Sequence, residues 1–391
     1  MSDRITRLAR VVRDAATHVP FYRRHWGVTG RRLPQIRSRE DFDALPLVTR
    51  RDLIEATPGD LLDRRYAQAQ LHIERTSGSS GQVFEMRYTA SARRRRQLRF
   101  LHGLASAGYR PGQALMFVSS QSAATIRSRG RWARWLRWTF VDMDDSPERI
   151  ARTFAAFRPS ILYGPLNALL ELGTQIGCRG VSCAPRKIIS TGERLTTGHR
   201  QRLEAQFQAP VADFYGMTEF GLMALRPDPA GPYRLLDRDL DLEFLPSLCD
   251  ERLERLVASD LRPAVQPIIR FDTGDLVRRD RTQPHQPVME FVGREHDAIV
   301  LPGNRHLSPW RVTCALEAIE GVRSFRVLQQ SDTSVDVYLD CRAELAPARA
   351  QRSLIQLLEG LPLRLHPQDG PLPLQPGKQS AVVSLAGRPQ S

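Results

Sequence analysis

The chain has 391 residues, of which 41% are hydrophobic and 26% charged, with a formal net charge of +14. That length has room for two or three domains and a large core. The sequence has no apolar run of the ~20 residues a membrane-spanning helix needs, and its composition excludes collagen-like and wholly disordered classes.

In chain order, apolar residues at Ile5, Leu8, Val11, Val12 and Ala15 predict a helix from Asp3 to about Arg24, ending around His18-Val-Pro-Phe-Tyr22. Short helical pieces broken by Pro34, Pro46 and Pro58 follow, and Leu71-His-Ile73 reads as a strand running into Thr76-Ser-Gly-Ser-Ser-Gly81. Helices are then expected at Thr89–Ala107, Pro147–Phe157, Leu166–Ile176 and Thr197–Phe207. They alternate with strands at Ala114–Val118, Ser160–Tyr163, Lys187–Ser190 and Val211–Phe214. This alternation predicts a large N-terminal α/β domain with a mostly parallel sheet.

From Tyr233 to about Val292 the texture changes to short alternating strands, including Leu242–Phe244, Glu254–Val257 and Ile268–Phe271, which predict an antiparallel β subdomain. Beyond Ala298 come a helix at Trp310–Ile319, strands at Ser324–Gln329 and Val335–Leu339, a helix at Ala346–Leu358 and a proline-rich end. They suit a small C-terminal α+β domain. The expected division is 1–295 and 296–391, and no internal repeat is visible.

The opening residues lack the basic start, apolar core and cleavage site of a secretory leader, so a cytoplasmic location is expected. Five scattered cysteines form no Cys-x-x-Cys pair, which argues for free thiols, several of them buried. Lysine occurs only at Lys187 and Lys378, against 55 arginines. The runs Arg93–Arg96 and Arg127–Arg137 read as solvated basic faces, and no nucleic-acid-binding signature accompanies them. Lys187 reads as a surface residue before a strand. The histidines show no metal spacing, and exposed or capping roles are expected of them. For Trp132, Trp135 and Trp138 a core helix is the plain reading.

Four segments carry chemistry. Arg75-Thr-Ser-Gly-Ser-Ser-Gly-Gln82 offers hydroxyls and glycine-freed amides as a phosphate cradle. It lacks the Gly-Lys-Ser/Thr of a Walker loop, and no lysine precedes Lys187 to complete an amidase-type serine pair. Asp213-Phe-Tyr-Gly-Met-Thr-Glu219 combines a stacking ring, a close-approach glycine, a hydroxyl and a carboxylate suited to Mg²⁺. In Arg270-Phe-Asp-Thr-Gly-Asp275 a carboxylate can accept both hydrogen bonds of a ribose diol. Val292-Gly-Arg294-Glu-His-Asp297 lies at the expected boundary.

In this order the segments resemble the adenylate-forming superfamily, and most of all its phenylacetate–CoA ligase branch. His18-Val-Pro-Phe-Tyr22, Pro46-Leu-Val-Thr-Arg50 and Pro267-Ile-Ile-Arg-Phe-Asp-Thr-Gly-Asp275 carry that likeness, which runs from about Ala16 to Val383. The resemblance implies an ATP- and Mg²⁺-dependent ligase that makes an acyl-adenylate from a carboxylic acid, an aromatic one by branch likeness. It then passes the acyl group to coenzyme A or a carrier-protein phosphopantetheine, with the small domain rotating in between.

The same likeness makes Thr76, Ser77, Gly78, Ser79, Ser80 and Gly81 the loop over the β- and γ-phosphates, and places Gly192 and Glu193 beside the adenine. Asp213 and Tyr215 would flank the adenine, Gly216 and Met217 approach the acyl group, Thr218 meet the α-phosphate and Glu219 hold Mg²⁺. Asp275 and Arg294 would bind ribose. Pro373-Leu-Gln-Pro-Gly-Lys378 would supply the adenylation lysine, and a lysine there in an arginine-dominated chain points to a need for a compact charge. The family's hinge position is His296 in this chain. The alternatives are an amide- or ester-forming ligase of natural-product or surface-polysaccharide assembly, a degenerate nucleotide-binding protein, and a basic nucleic-acid-contacting protein.

Overall fold

In a computed structural model of the chain, the residues described are 3–30, 33–66, 70–75, 84–119, 136–142, 145–178, 180, 184–236, 238–283, 285, 287–342, 345–370, 372 and 380–386. The alternating apolar strands form a seven-stranded sheet in the order Trp138–Asp142, Leu115–Ser119, Ile161–Pro165, Lys187–Thr191, Val211–Met217, Gly221–Arg226, Arg234–Leu235. The first five strands are parallel and the last two antiparallel. Successive side chains face opposite layers, as the period of two requires. Met116, Val118 and Ile188 meet the helices Pro147–Phe157, Leu166–Cys178 and Thr197–Phe207. Leu115, Phe117, Ile189 and Phe214 meet Leu104 of the helix Ala90–Ser106.

Four antiparallel strands, Leu240–Pro246, Glu254–Asp260, Phe271–Arg279 and Val288–Arg294, form the second sheet. The N-terminal helix presents Leu8, Val12 and Ala15 to a core shared with Phe271 of this sheet and with Ile268 and Ile269 just before it. The last part of the chain has its own core, with Val312 and Leu316 from the helix Pro309–Glu317 and Ala350 and Leu354 from the helix Ala346–Leu358. These pack on a mixed four-stranded sheet. The division expected at 295/296 falls on the short 3-10 turn Glu295–Asp297.

Several expectations need correction. The first helix stops at His18 and restarts at Pro20, whose fixed φ suits a helix start. Ile268–Arg270 is not strand, because Arg270 has φ +49° and its carbonyl is turned to accept from Val48 N at 2.8 Å. Trp138 lies on a strand, not a helix, while Trp132 and Trp135 are outside the described residues. The proline-rich end contains the strand Leu363–Gln368. Its Pro367 is tolerated because the strand lies at the sheet edge, where a missing N–H costs no ladder bond.

Of the described cysteines only Cys341 is buried; Cys178 and Cys314 are exposed. Lys187 is half-buried and donates to Pro227 O at 3.0 Å. Burial pushes the His199 imidazole down to about 4, so it is neither an exposed nor a charged capping group.

Candidate active site

A cleft of about 520 Å³ opens where the parallel sheet, the antiparallel sheet and the C-terminal unit meet. Two sheet features build its wall. The strand Val211–Met217 turns back at residues 218–220 into Gly221–Arg226, and Gly216 lets the two arms close, since a Cβ there would lie 2.5 Å from Gly221 O. The strands Phe271–Arg279 and Val288–Arg294 are in register with Asp275 opposite Arg294.

The sequence-derived residues Gly192, Glu193, Asp213, Tyr215, Gly216, Met217, Asp275 and Arg294 all line this cleft. Tyr215 Oη donates to Asp275 Oδ2 at 2.6 Å, and Arg294 Nε donates to Asp275 Oδ1 at 3.3 Å. The Tyr215 ring is stacked on Phe291, with centroids 3.6 Å apart and planes 12° from parallel. Tyr233 donates a short hydrogen bond to Asp213 Oδ2, while Asp213 Oδ1 is buried without a hydrogen bond. Burial pushes the Asp213 carboxyl up to about 6, against the opposing pull of the Tyr233 hydroxyl, Arg200 and Arg226.

Thr218 and Glu219 sit elsewhere. They occupy the turn beyond Met217, and Glu219 lines a small arginine-rich pocket. Arg96 and Tyr88 both donate to the Thr218 carbonyl at 2.8 Å, and Arg99 donates to the Phe220 carbonyl. Part of the basic helix thus braces this turn, while Arg94 and Arg95 are exposed. The Glu219 carboxylate is buried and paired with Arg50 Nη1 at 2.9 Å. Mg²⁺ is typically held by one or two carboxylates together with substrate phosphates. Glu219 can supply one such carboxylate, and no cluster of three metal-ligating side chains exists among the described residues.

The phosphate-loop residues Thr76–Gly81 and Lys378 lie outside the described residues. Their flanks are described. The strands His72–Arg75 and Glu85–Tyr88 pair on either side of the loop segment. Leu372 and Ser380 both border a second cavity, which Glu193 and Arg194 also line, and Ser380 reaches the main cleft as well, donating to Asp297 Oδ2 at 2.9 Å.

Sequence reasoning missed three wall residues, Phe291, Tyr233 and Arg194, and also Arg50, which pairs with Glu219 away from the cleft. Arg194 binds Glu290 at 2.7 Å across the cleft. Arg50 was part of a motif but carried no role. The fold supplies one, because Val48 forms a parallel bridge with Phe271 and delivers the next residues to Glu219.

No family model matches the chain. It is similar to a phenylacetate-coenzyme A ligase of Thermus thermophilus, 24% identical over 84% of this chain and 78% of that protein. It is similar as well to one of Pseudomonas putida, 23% identical over 76% of this chain and 71% of that protein. Among solved structures, 2-hydroxyisobutyryl-CoA ligase in its postadenylation state with 2-HIB-AMP superposes with a TM-score of 0.74, covering 98% of this chain and 89% of that one at 19% identity. The chain has the fold of this acyl-adenylate-binding ligase, and its sequence is similar to phenylacetate-coenzyme A ligases. The same ligase in its thioesterification state, with 2-HIB-AMP and CoA, superposes at only 0.59 over 97% of this chain and 89% of that one, at 20% identity.

Proposed function

We propose that this protein is an AMP-forming acid–thiol ligase that converts a carboxylic acid and ATP into an acyl-adenylate and then into a thioester of coenzyme A. The observation that carries the reading is a single cleft whose wall combines Tyr215, Asp275 and Arg294 and whose rim is bordered by Ser380, two residues beyond Lys378. In this reading Asp275 accepts from the ribose hydroxyls, with Arg294 holding it in place. Asp213 borders the same cleft and would flank the adenine.

The substrate carboxylate attacks the α-phosphorus, the bond to the bridging oxygen breaks, and pyrophosphate leaves. Lys378 would place its ammonium against the charge that builds on carboxylate and phosphate, and Thr218 would meet the α-phosphate. Glu219 would supply one carboxylate for Mg²⁺, and the ion would contribute charge neutralisation at the phosphates. In the second half-reaction a thiolate attacks the acyl carbonyl and AMP departs. Units 1–295 and 296–391 would change orientation between the two, a lid-type step. The higher superposition on the postadenylation state supports reading the present arrangement as the adenylate-forming one.

The phenylacetate relatives favour an aromatic acid, a carrier-protein thiol is the second acceptor to test, and a cytoplasmic location fits the expected supply of ATP and thiol. The test is acid-dependent pyrophosphate release from MgATP across aryl, short hydroxy and fatty acids, followed by addition of coenzyme A, a carrier protein or an amine. Release with one acid class, and thioester on adding a thiol, is the expected result. A folded protein that releases no pyrophosphate with any acid would overturn the reading.

A further inference from the structure

The helix Thr197–Phe207 of the large unit meets the small unit end-on. Thr196 caps it, its hydroxyl accepting from His199 N at 3.2 Å. The exposed end of a helix N-terminus leaves amide donors in need of acceptors. Here one acceptor comes from across the cleft: Glu317, the last residue of the helix Pro309–Glu317, takes the Thr197 amide on Oε1 at 3.2 Å. Burial raises the Glu317 carboxyl above its ordinary range, with Arg194 opposing and Glu290 adding.

Gly198 makes the contact close. A Cβ at this position would lie 2.6 Å from the backbone oxygen of Arg323, on the first strand of the small unit's sheet. That oxygen is backbone, at the bulge between Val322 and Ser324, and yields less readily than a side-chain tip. A second attachment lies beyond the cleft, where Ser308 donates to Asp250 Oδ2 at 3.1 Å and the Arg252 guanidinium sits 4.7 Å over the Trp310 ring.

We propose that Gly198 and Glu317 form a latch that holds the small unit in the adenylate-forming orientation, and that opening this latch admits the second half-reaction. The proposal rests on the functional reading above. Gly198 and Glu317 are positioning residues: neither lines the main cleft, and both act by fixing where the segment carrying Lys378 stands.

The experiment compares native protein with Gly198→Ala and Glu317→Gln in three measurements. These are hydrogen exchange of the amides at 196–199, single-turnover pyrophosphate release, and thioester formation from supplied acyl-adenylate and coenzyme A. Gly198→Ala is expected to lose protection at Thr197 and to slow pyrophosphate release at least tenfold while thioester formation keeps its native rate. Glu317→Gln keeps the shape and an acceptor but not the charge, and is expected to fall between.

Unchanged exchange at Thr197 in both variants, or equal loss of the two half-reactions in both, overturns the latch. Should Gly198→Ala fail to fold, native protection at Thr197 in Glu317→Gln overturns it alone. Exchange reads the contact without any substrate, so it is separable from the enzymatic reading. A native protein that releases no pyrophosphate removes the functional reading and with it the latch's role.

Discussion

Asp275 and Arg294 stand directly across from each other on adjacent antiparallel strands, and the arginine donates to one carboxylate oxygen while Tyr215 donates to the other. Each oxygen keeps a further lone pair, so the carboxylate is oriented and still able to accept from a diol. Asp275→Asn, which removes the charge and turns one acceptor into a donor, is expected to weaken nucleotide binding. A charge-assisted hydrogen bond of about 1.5–3 kcal/mol is at stake, or roughly tenfold to a hundredfold in affinity. Calorimetric titration with ATP checks it, and native affinity would remove Asp275 from the ribose site.

Lys378 is one of two lysines in the chain. Lys378→Ala should lower the rate of acyl-adenylate formation by about 10²–10³, the range seen when one preorganised charge-stabilising donor is removed. Lys378→Arg should rescue little, because a planar guanidinium does not replace a compact ammonium. Rapid-quench measurement of acyl-adenylate decides. Full activity in the arginine variant would show that any cation suffices.

Asp213 gives a pH signature of stability. Its folded carboxyl sits at about 6, above its ordinary 3.8, because burial penalises the anion. Between these values the folded state holds the proton more tightly than the unfolded chain, so stability falls as pH rises from about 4 to about 6 and is level above. Asp213→Asn still accepts from Tyr233 and lacks this loss. It is expected to match the native protein near pH 4 and to exceed it at pH 8 by up to about 3 kcal/mol. Denaturant titration across this range tests the sign, and parallel pH curves for the two proteins would contradict it.

Arg270 belongs to a motif that the likeness ties to nucleotide binding, yet its guanidinium never reaches the cleft. It is buried, bonded to Glu243 at 2.7 Å, and donates to the carbonyls of Asp43 and Leu45. Arg270→Met leaves the buried Glu243 without this partner and is expected to cost about 3–5 kcal/mol. Adding Glu243→Leu should restore part of that loss. Thermal unfolding of the single and double variants reads it, and an additive double variant would deny the coupling.

The periodic parts of the fold were legible because period and caps agree. Pro147–Phe157, Thr197–Phe207 and Ala346–Leu358 match the expected helices end to end. Ile268–Arg270 was misread because its apolar, β-branched residues look like strand, while the backbone is set by a buried arginine binding a distant segment. In the site, motif residues that share one strand end were readable. Phe291 and Tyr233 were not, because their roles come from strand pairing and ring packing that local sequence does not encode. The Arg50–Glu219 pair escaped for the same reason, as the bridge that makes it joins Val48 to Phe271.

That bridge also bears on how the protein is made. Synthesis proceeds at roughly 5–20 residues per second, so a ribosome that has completed Val48 needs on the order of 10–45 s more to reach Phe271. Throughout that interval Leu8, Val12, Ala15 and Phe42 lack part of the core that will bury them, since Ile268, Ile269 and Phe271 are still unmade. The N-terminal helices are first out of the exit tunnel and among the last parts to find their place. Nascent chains stalled between these points should therefore expose an apolar helix face, the kind of surface that chaperones at the tunnel mouth hold.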